Sequence, residues 1–358
     1  MHVAVLGGGV AGLTAAQALV SGGCDVTLVE AGERLGGQVK TRRSQGFLIE
    51  DGAEGFPARR EAIRNLCQTL SLNDQMIGQQ VHRSLQLRDG RLVELAAGDA
   101  ARLLGITAGP ESAGAGLSTF RHGMGELVDR LGGFVATYGR VLTRWRATRL
   151  GRVGSGWQLE REDGPPLLAD RLVLALPALE AEALLSPVIG RVRDLSNLLH
   201  STSVTVSLAI PQDRLKHPLE ATGFVGEPTS PLRACVFCSS KFENRAPEGW
   251  CLIRLFFRPD PCDLAASDDL WVGFARDQIT EVLAIPAGRW PAWVSRWPRV
   301  FPDFPADFPR RLESIRDRLA GAGGGIELAG TATGAIGVDG AVRSGQNAAA
   351  RMLASRLS

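Results

Sequence analysis

His2-Val3-Ala4-Val5-Leu6-Gly7-Gly8-Gly9-Val10-Ala11-Gly12, followed downstream by Asp25-Val26-Thr27-Leu28-Val29-Glu30, is the stretch whose reading decides the fold. A short apolar run meets a glycine turn. An Ala- and Leu-rich segment with helical character follows, and a second apolar run ends on a carboxylate. Each part has a task when a dinucleotide binds. Gly7 allows the tight turn, Gly9 lets the backbone approach a pyrophosphate, and Gly12 lets the helix pack on the strand. The helix N-terminus offers unpaired N–H groups and the positive end of its dipole to the phosphates. Glu30 lies 18 residues after Gly12, near the offset at which a carboxylate accepts hydrogen bonds from a ribose. A bare glycine turn in an α/β domain without a ligand would share the glycines. It would not explain the acid in register.

The chain has 358 residues, 44% of them apolar and 22% charged, enough for two domains or one large one. A formal net charge of +2 speaks against a polybasic nucleic-acid surface. No apolar run reaches membrane-span length. The apolar opening is broken by glycines and has neither a basic lead-in nor a cleavage site, so it is not read as a secretion signal, and the expected location is cytoplasmic. Six cysteines occur: Cys24, Cys67, Cys235, Cys238, Cys251 and Cys262. Cys235 and Cys238 form a C-x-x-C, but Ala234–Cys238 reads as a strand, in which residues three apart face opposite ways. With no second C-x-x-C and no paired histidines, no metal site is expected.

Further along, Gly36-Gly37 suggests a second place where backbone approaches a ligand. Helical spacing over 57–72 places Ile63, Leu66, Cys67 and Leu70 on one side. Leu85–Leu95 reads as a hairpin turning at Asp89-Gly90. The small-residue stretch 105–118 reads as a loop or linker. A helix is expected after Gly123, and strands at Gly156–Glu160, Ala169–Pro177, Thr202–Ile210, Ala234–Ser239 and Trp250–Phe257. The tail repeats the opening pattern. Ile326–Gly330 reads as a strand, Thr331–Asp339 as a glycine-rich loop, and a helix begins at Gly340. Such a helix N-terminus can face an electron-rich ring oxygen and stabilise negative charge there, which suits a reduced flavin better than a nicotinamide.

Together these stretches resemble the flavin-dependent amine oxidase superfamily, and within it the protoporphyrinogen oxidase branch. The resemblance is carried by Gly7–Leu13, Glu30 with Leu35-Gly36-Gly37, Asp51-Gly52-Ala53-Glu54-Gly55-Phe56, the Gly123–Leu127 turn, the Leu172–Pro177 strand, and Ala329-Gly330 through Gly345. Two stretches are more specific to the branch. Ser239–Gly249 resembles a serine–phenylalanine stretch leading into R-A-P-E-G, and Arg296-Trp297-Pro298 with Phe301–Phe304 resembles a second branch run.

The resemblance implies an α/β fold in which a Rossmann-like FAD-binding domain (1–75, 118–192 and 318–358) carries an inserted mixed-sheet substrate domain (76–117 and 193–317). It implies FAD rather than NAD. Gly7, Gly9, Val10, Ala11 and Gly12 would take the pyrophosphate and Glu30 the adenosine ribose, with Ala31 and Arg34 in the same cofactor-binding set. Gly36, Gly37 and Gln38 would lie along the pyrophosphate and ribityl chain. Gly52, Ala53, Glu54 and Gly55 would pass near the isoalloxazine, Ala147 would be an adenine-contacting strand residue, and Gly330 and Val338 would belong to the C-terminal flavin loop and helix. The implied reaction is removal of hydride from a porphyrinogen-type substrate, with molecular oxygen as acceptor, and no catalytic triad or carboxylate pair is implied or seen. Arg59 or Arg60 would bind a substrate carboxylate, a task that suits a guanidinium fork, while Arg245 is expected to be structural. The alternatives are an FAD-dependent amine oxidase or desaturase, and an FAD-binding protein without turnover. Peripheral membrane contact has no support in the sequence.

Three departures bear on the substrate. Only residues 57–122 separate Phe56 from Gly123, where the branch carries a long helical insertion. Asp307-Phe308 stands where the branch has Gly-His. The strand Thr202–Leu208 has no lysine, and Tyr138 is the only tyrosine, so the lysine and aromatic pair of amine oxidases are missing. Trp290, Trp293 and Trp297 are expected to be packing anchors.

Overall fold

His2–Leu6 (β1) is a strand because Val3, Ala4 and Val5 are fully buried on both faces, as a central strand of a parallel sheet requires. In the computed structural model, which describes residues 1–104, 116–190, 192–260 and 263–355, β1 pairs in parallel with Asp25–Val29 (β2) and with Arg171–Leu174. Arg140–Leu142 adds outside β2, and Ile326–Leu328 adds outside Arg171–Leu174, giving a five-stranded parallel sheet. Its strands come from three well-separated parts of the chain. A second sheet has seven strands: Leu85–Arg88 and Arg91–Glu94 in the predicted hairpin, then Leu199–Pro211, Gly223–Val225, Leu232–Val236, Trp250–Phe257 and Ala292–Asp303. It is mostly antiparallel, with one parallel pairing between Gly223–Val225 and Leu85–Arg88, and is therefore mixed.

Between β1 and β2 runs the helix Val10–Ser21 (α1). It is apolar nearly all round, with Leu13, Ala15, Ala16 and Leu19 fully buried, so it lies inside the domain. Its neighbour is the C-terminal helix Gly337–Ala354. Gly345 makes their close approach possible: a Cβ there would stand 2.3 Å from the Ala11 carbonyl oxygen. At the other end, Leu353 fills the space over Gly22. The two helices therefore run parallel.

Several expectations shift by a few residues. The predicted helix over 57–72 is confined to Glu61–Thr69, and the helix after Gly123 spans Gly125–Tyr138. The C-terminal helix starts at Gly337 rather than Gly340, and the loop expected before it contains a 3-10 turn at Gly330–Thr333. Residues 105–115 of the expected linker lie outside the described residues, as does Cys262. Its end, 117–118, belongs to the strand Leu117–Phe120, which pairs with Phe56–Pro57 and Met76–Gly78. The strand expected over Ala234–Ser239 stops at Val236. Phe237 is fully buried and its carbonyl accepts from Ser240 and Lys241, so the chain turns into a short helix, Cys238–Lys241. Among the described residues no helix is long and apolar enough to cross a membrane.

The Gly125–Tyr138 helix has no side-chain N-cap of its own. Glu50 and Thr41 do that work from a neighbouring hairpin: Met124 N–H donates to Glu50 Oε1 at 2.7 Å and Gly125 N–H to Thr41 Oγ1 at 2.8 Å. Gly123 is required beside them, because its φ is +95° and a Cβ would meet Thr41 and Glu50 within 3 Å. Glu50 is buried, and burial raises its pKa from 4.5 to about 6 against the opposing bonds from Met124 and Thr41.

Two outcomes follow. Gly345→Ala gains about 1 kcal/mol of helix propensity, but the Ala11 carbonyl cannot yield as a side-chain end would. The net effect is a loss of at least about 1 kcal/mol, measured as a lowered urea midpoint. Glu50 has a folded pKa above its unfolded value, so between about 4.5 and about 6 the folded state holds the extra proton and stability falls as pH rises. Glu50→Gln removes that slope. Its stability relative to the parent protein should improve by about 2 kcal/mol between pH 4.5 and pH 7, read from denaturant titrations at both values.

Candidate cofactor and substrate site

The glycines of the opening turn differ in what demands them. A Cβ on Gly7, whose φ is +102°, would lie 2.4 Å from the Ala175 carbonyl oxygen, and one on Gly12 would lie 1.9 Å from the Gly7 carbonyl oxygen. Both are excluded by the protein's own backbone. Gly9 is not. Its φ of −72° and ψ of 175° are open to any residue, and the nearest atom to a Cβ there would be the Gly37 Cα at 4.0 Å. Neither packing nor backbone geometry asks for glycine at position 9, which leaves a space that a side chain would enter.

That space is one end of a backbone-lined trough. Gly9 bridges to Gly36, and Gly36 N–H donates to Gly8 O at 2.7 Å. Arg34 holds this loop, donating to the carbonyls of Leu35, Val39 and Gly37 at 3.0, 3.0 and 2.7 Å. Glu30 spends one oxygen on Gly8 N–H and the other on Gly32 N–H, each at 2.7 Å. A carboxylate has about four lone-pair sites, so acceptor capacity remains. Next along the trough, Ala53 N–H donates to Gln38 O, and a Cβ on Gly52 would sit 1.8 Å from that same oxygen. Val338, 6% exposed, lies in one core with Val10, Ala11 and Phe56. A Cβ on Gly330, whose φ is +71°, would lie 3.4 Å from the Ala11 methyl.

Two helix N-termini open on this trough, and no side chain caps either. Ala11 lies level with Gly345. The start of the C-terminal helix at Gly337 is thus about seven residues, or roughly 10 Å, beyond the start of α1 at Val10. This stagger suits a long molecule with an anionic group at one helix and an electron-rich ring at the other.

The turn 50–55 joins the trough to the seven-stranded sheet. Asp51 bonds Lys40 at 2.8 Å, Arg42 at 2.9 Å and Ser295 Oγ at 2.7 Å, and the Trp297 indole N–H donates to its carbonyl at 2.7 Å. Burial would raise the Asp51 pKa, but Lys40, Ser295 and Arg42 hold it below the usual carboxylate value. Glu54 pairs with the Lys241 ammonium and the Arg254 guanidinium. Burial would raise its pKa too, but these two cations hold it low.

Sequence reasoning missed Lys241, Arg254 and Trp297 as neighbours of the turn. Trp290 and Trp293 do pack, the first into the sheet core and the second against Phe47 at 5.4 Å between ring centroids. Ala147, expected on a strand, lies in an irregular segment between Arg140–Leu142 and Arg149–Val153, because the chain there follows Glu30 through the bond from Trp145 N–H to Glu30 O. Arg59 is exposed, and Arg60 is the N-cap residue of the Glu61–Thr69 helix. This helix adjoins the C-terminal helix, since Ile63 N–H donates to Asp339 Oδ1 at 3.2 Å. Arg245 is 2% exposed and donates to Thr119, Phe120 and Glu243, as a structural residue would. Among the described residues no group of three His, Cys, Asp or Glu side chains gathers at a metal position.

The profile of the family described as flavin containing amine oxidoreductase matches residues 10–105 and 108–353. Coproporphyrinogen III oxidase of Bacillus subtilis (strain 168) is 23% identical over 459 aligned residues, covering 97% of this chain and 97% of its own. An alignment of that length against 358 residues means the relative carries long segments without a counterpart here. L-amino-acid oxidase of Mus musculus is 44% identical, but over 73 residues, 20% of this chain and 12% of its own. Among solved structures, a protein of Exiguobacterium sp. 255-15 provisionally assigned as a protoporphyrinogen oxidase superposes with a TM-score of 0.86 at 20% identity over 99% of both chains, a likeness of fold. The chain belongs to the flavin containing amine oxidoreductase family and is a flavin-dependent oxidase whose cofactor is FAD.

Proposed function

We propose that this protein oxidises a porphyrinogen-type tetrapyrrole, with molecular oxygen as the final electron acceptor. The observation that carries this reading is the similarity to coproporphyrinogen III oxidase across 97% of both chains. Bound FAD would supply the hydride acceptor. The chain's own residues would bind and orient. The amides of Val10, Ala11 and Gly12 would hold the pyrophosphate, and the remaining lone pairs of Glu30 would accept from the ribose. Gly36, Gly37 and Gln38 would follow the chain toward Gly52–Gly55 and Val338, where the ring would lie.

The strand Leu199–Pro211 has no lysine, so the usual amine-oxidase water partner is missing. Arg59 and Arg60 precede a helix tied to Asp339, two residues into the C-terminal helix, which supports the reading that one of their guanidinium groups would take a propionate.

Gly9→Ala should leave the fold intact and weaken FAD binding, on the order of tenfold or more. Circular dichroism of the FAD-free protein and a fluorescence titration with FAD separate the two effects. Anaerobic mixing with coproporphyrinogen III or protoporphyrinogen IX should bleach the flavin absorbance, which should recover in air. Bleaching by primary amines alone, or by none of these compounds, removes the porphyrinogen reading. One of Arg59→Ala and Arg60→Ala should raise KM roughly tenfold with little change in kcat, as loss of a charge-assisted contact predicts.

A further inference from the structure

Arg254 lies on Trp250–Phe257, a central strand of the seven-stranded sheet, and its side chain is 3% exposed. Nη1 donates to the carbonyls of Glu50 and Gly52, the latter at 2.8 Å, and Nη2 meets Glu54 Oε2 at 3.3 Å. Lys241, 8% exposed, comes to the other Glu54 oxygen from the end of the short helix Cys238–Lys241. Arg245 is buried behind them. Three cations therefore share this interior with the carboxylates of Glu50 and Glu54. Burying such a cluster carries a desolvation penalty, and apolar residues of the same volume would often serve stability as well or better. Its placement suggests what it is kept for. Arg254 grips the carbonyls on either side of Asp51, while Asp51 N–H and Ala53 N–H are taken by Lys40 O and Gln38 O. The peptide planes on either side of Asp51 and the one joining Gly52 to Ala53 are thereby held, with Trp297 taking the Asp51 carbonyl, and the cations that hold Glu54 outnumber its charge.

We propose that Lys241 and Arg254 are positioning residues for the flavin: they hold the 50–55 turn in place from the neighbouring sheet and raise the reduction potential of the ring resting against it. This rests on the assignment of Gly52–Gly55 to the ring. A cation near the ring favours the electron-rich reduced state, and an anion in the same place opposes it.

The test uses the FAD-loaded full chain and reductive titration with dithionite against reference dyes, so that no substrate is involved. Lys241→Met should shift the midpoint potential down, Glu54→Gln should shift it up, and the double variant should return near the parent value. Arg254→Met should shift it down and loosen FAD, with Arg254→Lys restoring part of both. A purely structural cluster would lower thermal stability in the single variants without opposite shifts in potential. Variants that hold FAD at an unchanged potential overturn this inference while leaving the porphyrinogen reading intact. Should Arg254→Met fail to fold, the Lys241 and Glu54 set decides alone. A parent protein that takes up no FAD overturns both.

Discussion

Two helices can lie close enough for backbone to touch backbone only where no side chain intervenes, and the rest of this molecule depends on that. Gly345 against the Ala11 carbonyl brings the C-terminal helix onto α1, and Gly12 against the Gly7 carbonyl brings α1 onto its sheet. With both contacts made, two uncapped helix N-termini are held at a fixed stagger, each with the positive end of its dipole exposed to whatever binds beside it. The apolar burial around them is large but unspecific, because many arrangements would bury Leu13 or Val342. The glycines select the one in which the two helices lie parallel at this stagger.

The opening strand, helix and strand were legible because their signals are local. A glycine turn between two apolar runs and an acid in register need no distant partner to be recognised. The final helix was legible for the same reason, missing its start by three residues, since Gly337 and Gly340 are equivalent by composition and only tertiary contact chooses between them. Trp250–Phe257 was readable to the residue. Its Arg254 was not recognised as a site residue, because a charged residue within an apolar strand gives no sign of what lies across the sheet. Lys241 was hidden for a related reason. The apolar run through Ala234–Val236 looked like a longer strand, and the buried Phe237 that ends it is as good a strand former as its neighbours. Ala147 rests on resemblance alone, since no periodicity supports a strand there, and the chain is irregular at that point.

Charge is used in two ways at the turn 50–55. Asp51 is met by lysine, arginine and serine at the trough side of the second sheet, and Glu54 is met by lysine and arginine within it. Glu50, between them in space, is occupied by a helix N-terminus and sits in surroundings that favour its protonated form. Three acidic residues within five positions thus have three different electrostatic environments. Each tethers the turn to a different element.

The parallel sheet is assembled from strands that lie near the beginning, middle and end of the polypeptide. The ribosome therefore makes one wall of the trough roughly 300 residues before the other. Until Ile326–Leu328 takes its edge place and the last helix docks, α1 has an open flank of small residues and nothing to enclose a ligand. Cofactor capture must wait for nearly the whole chain to emerge, so a nascent fragment ending before residue 326 would expose this flank to chaperones rather than retain a flavin.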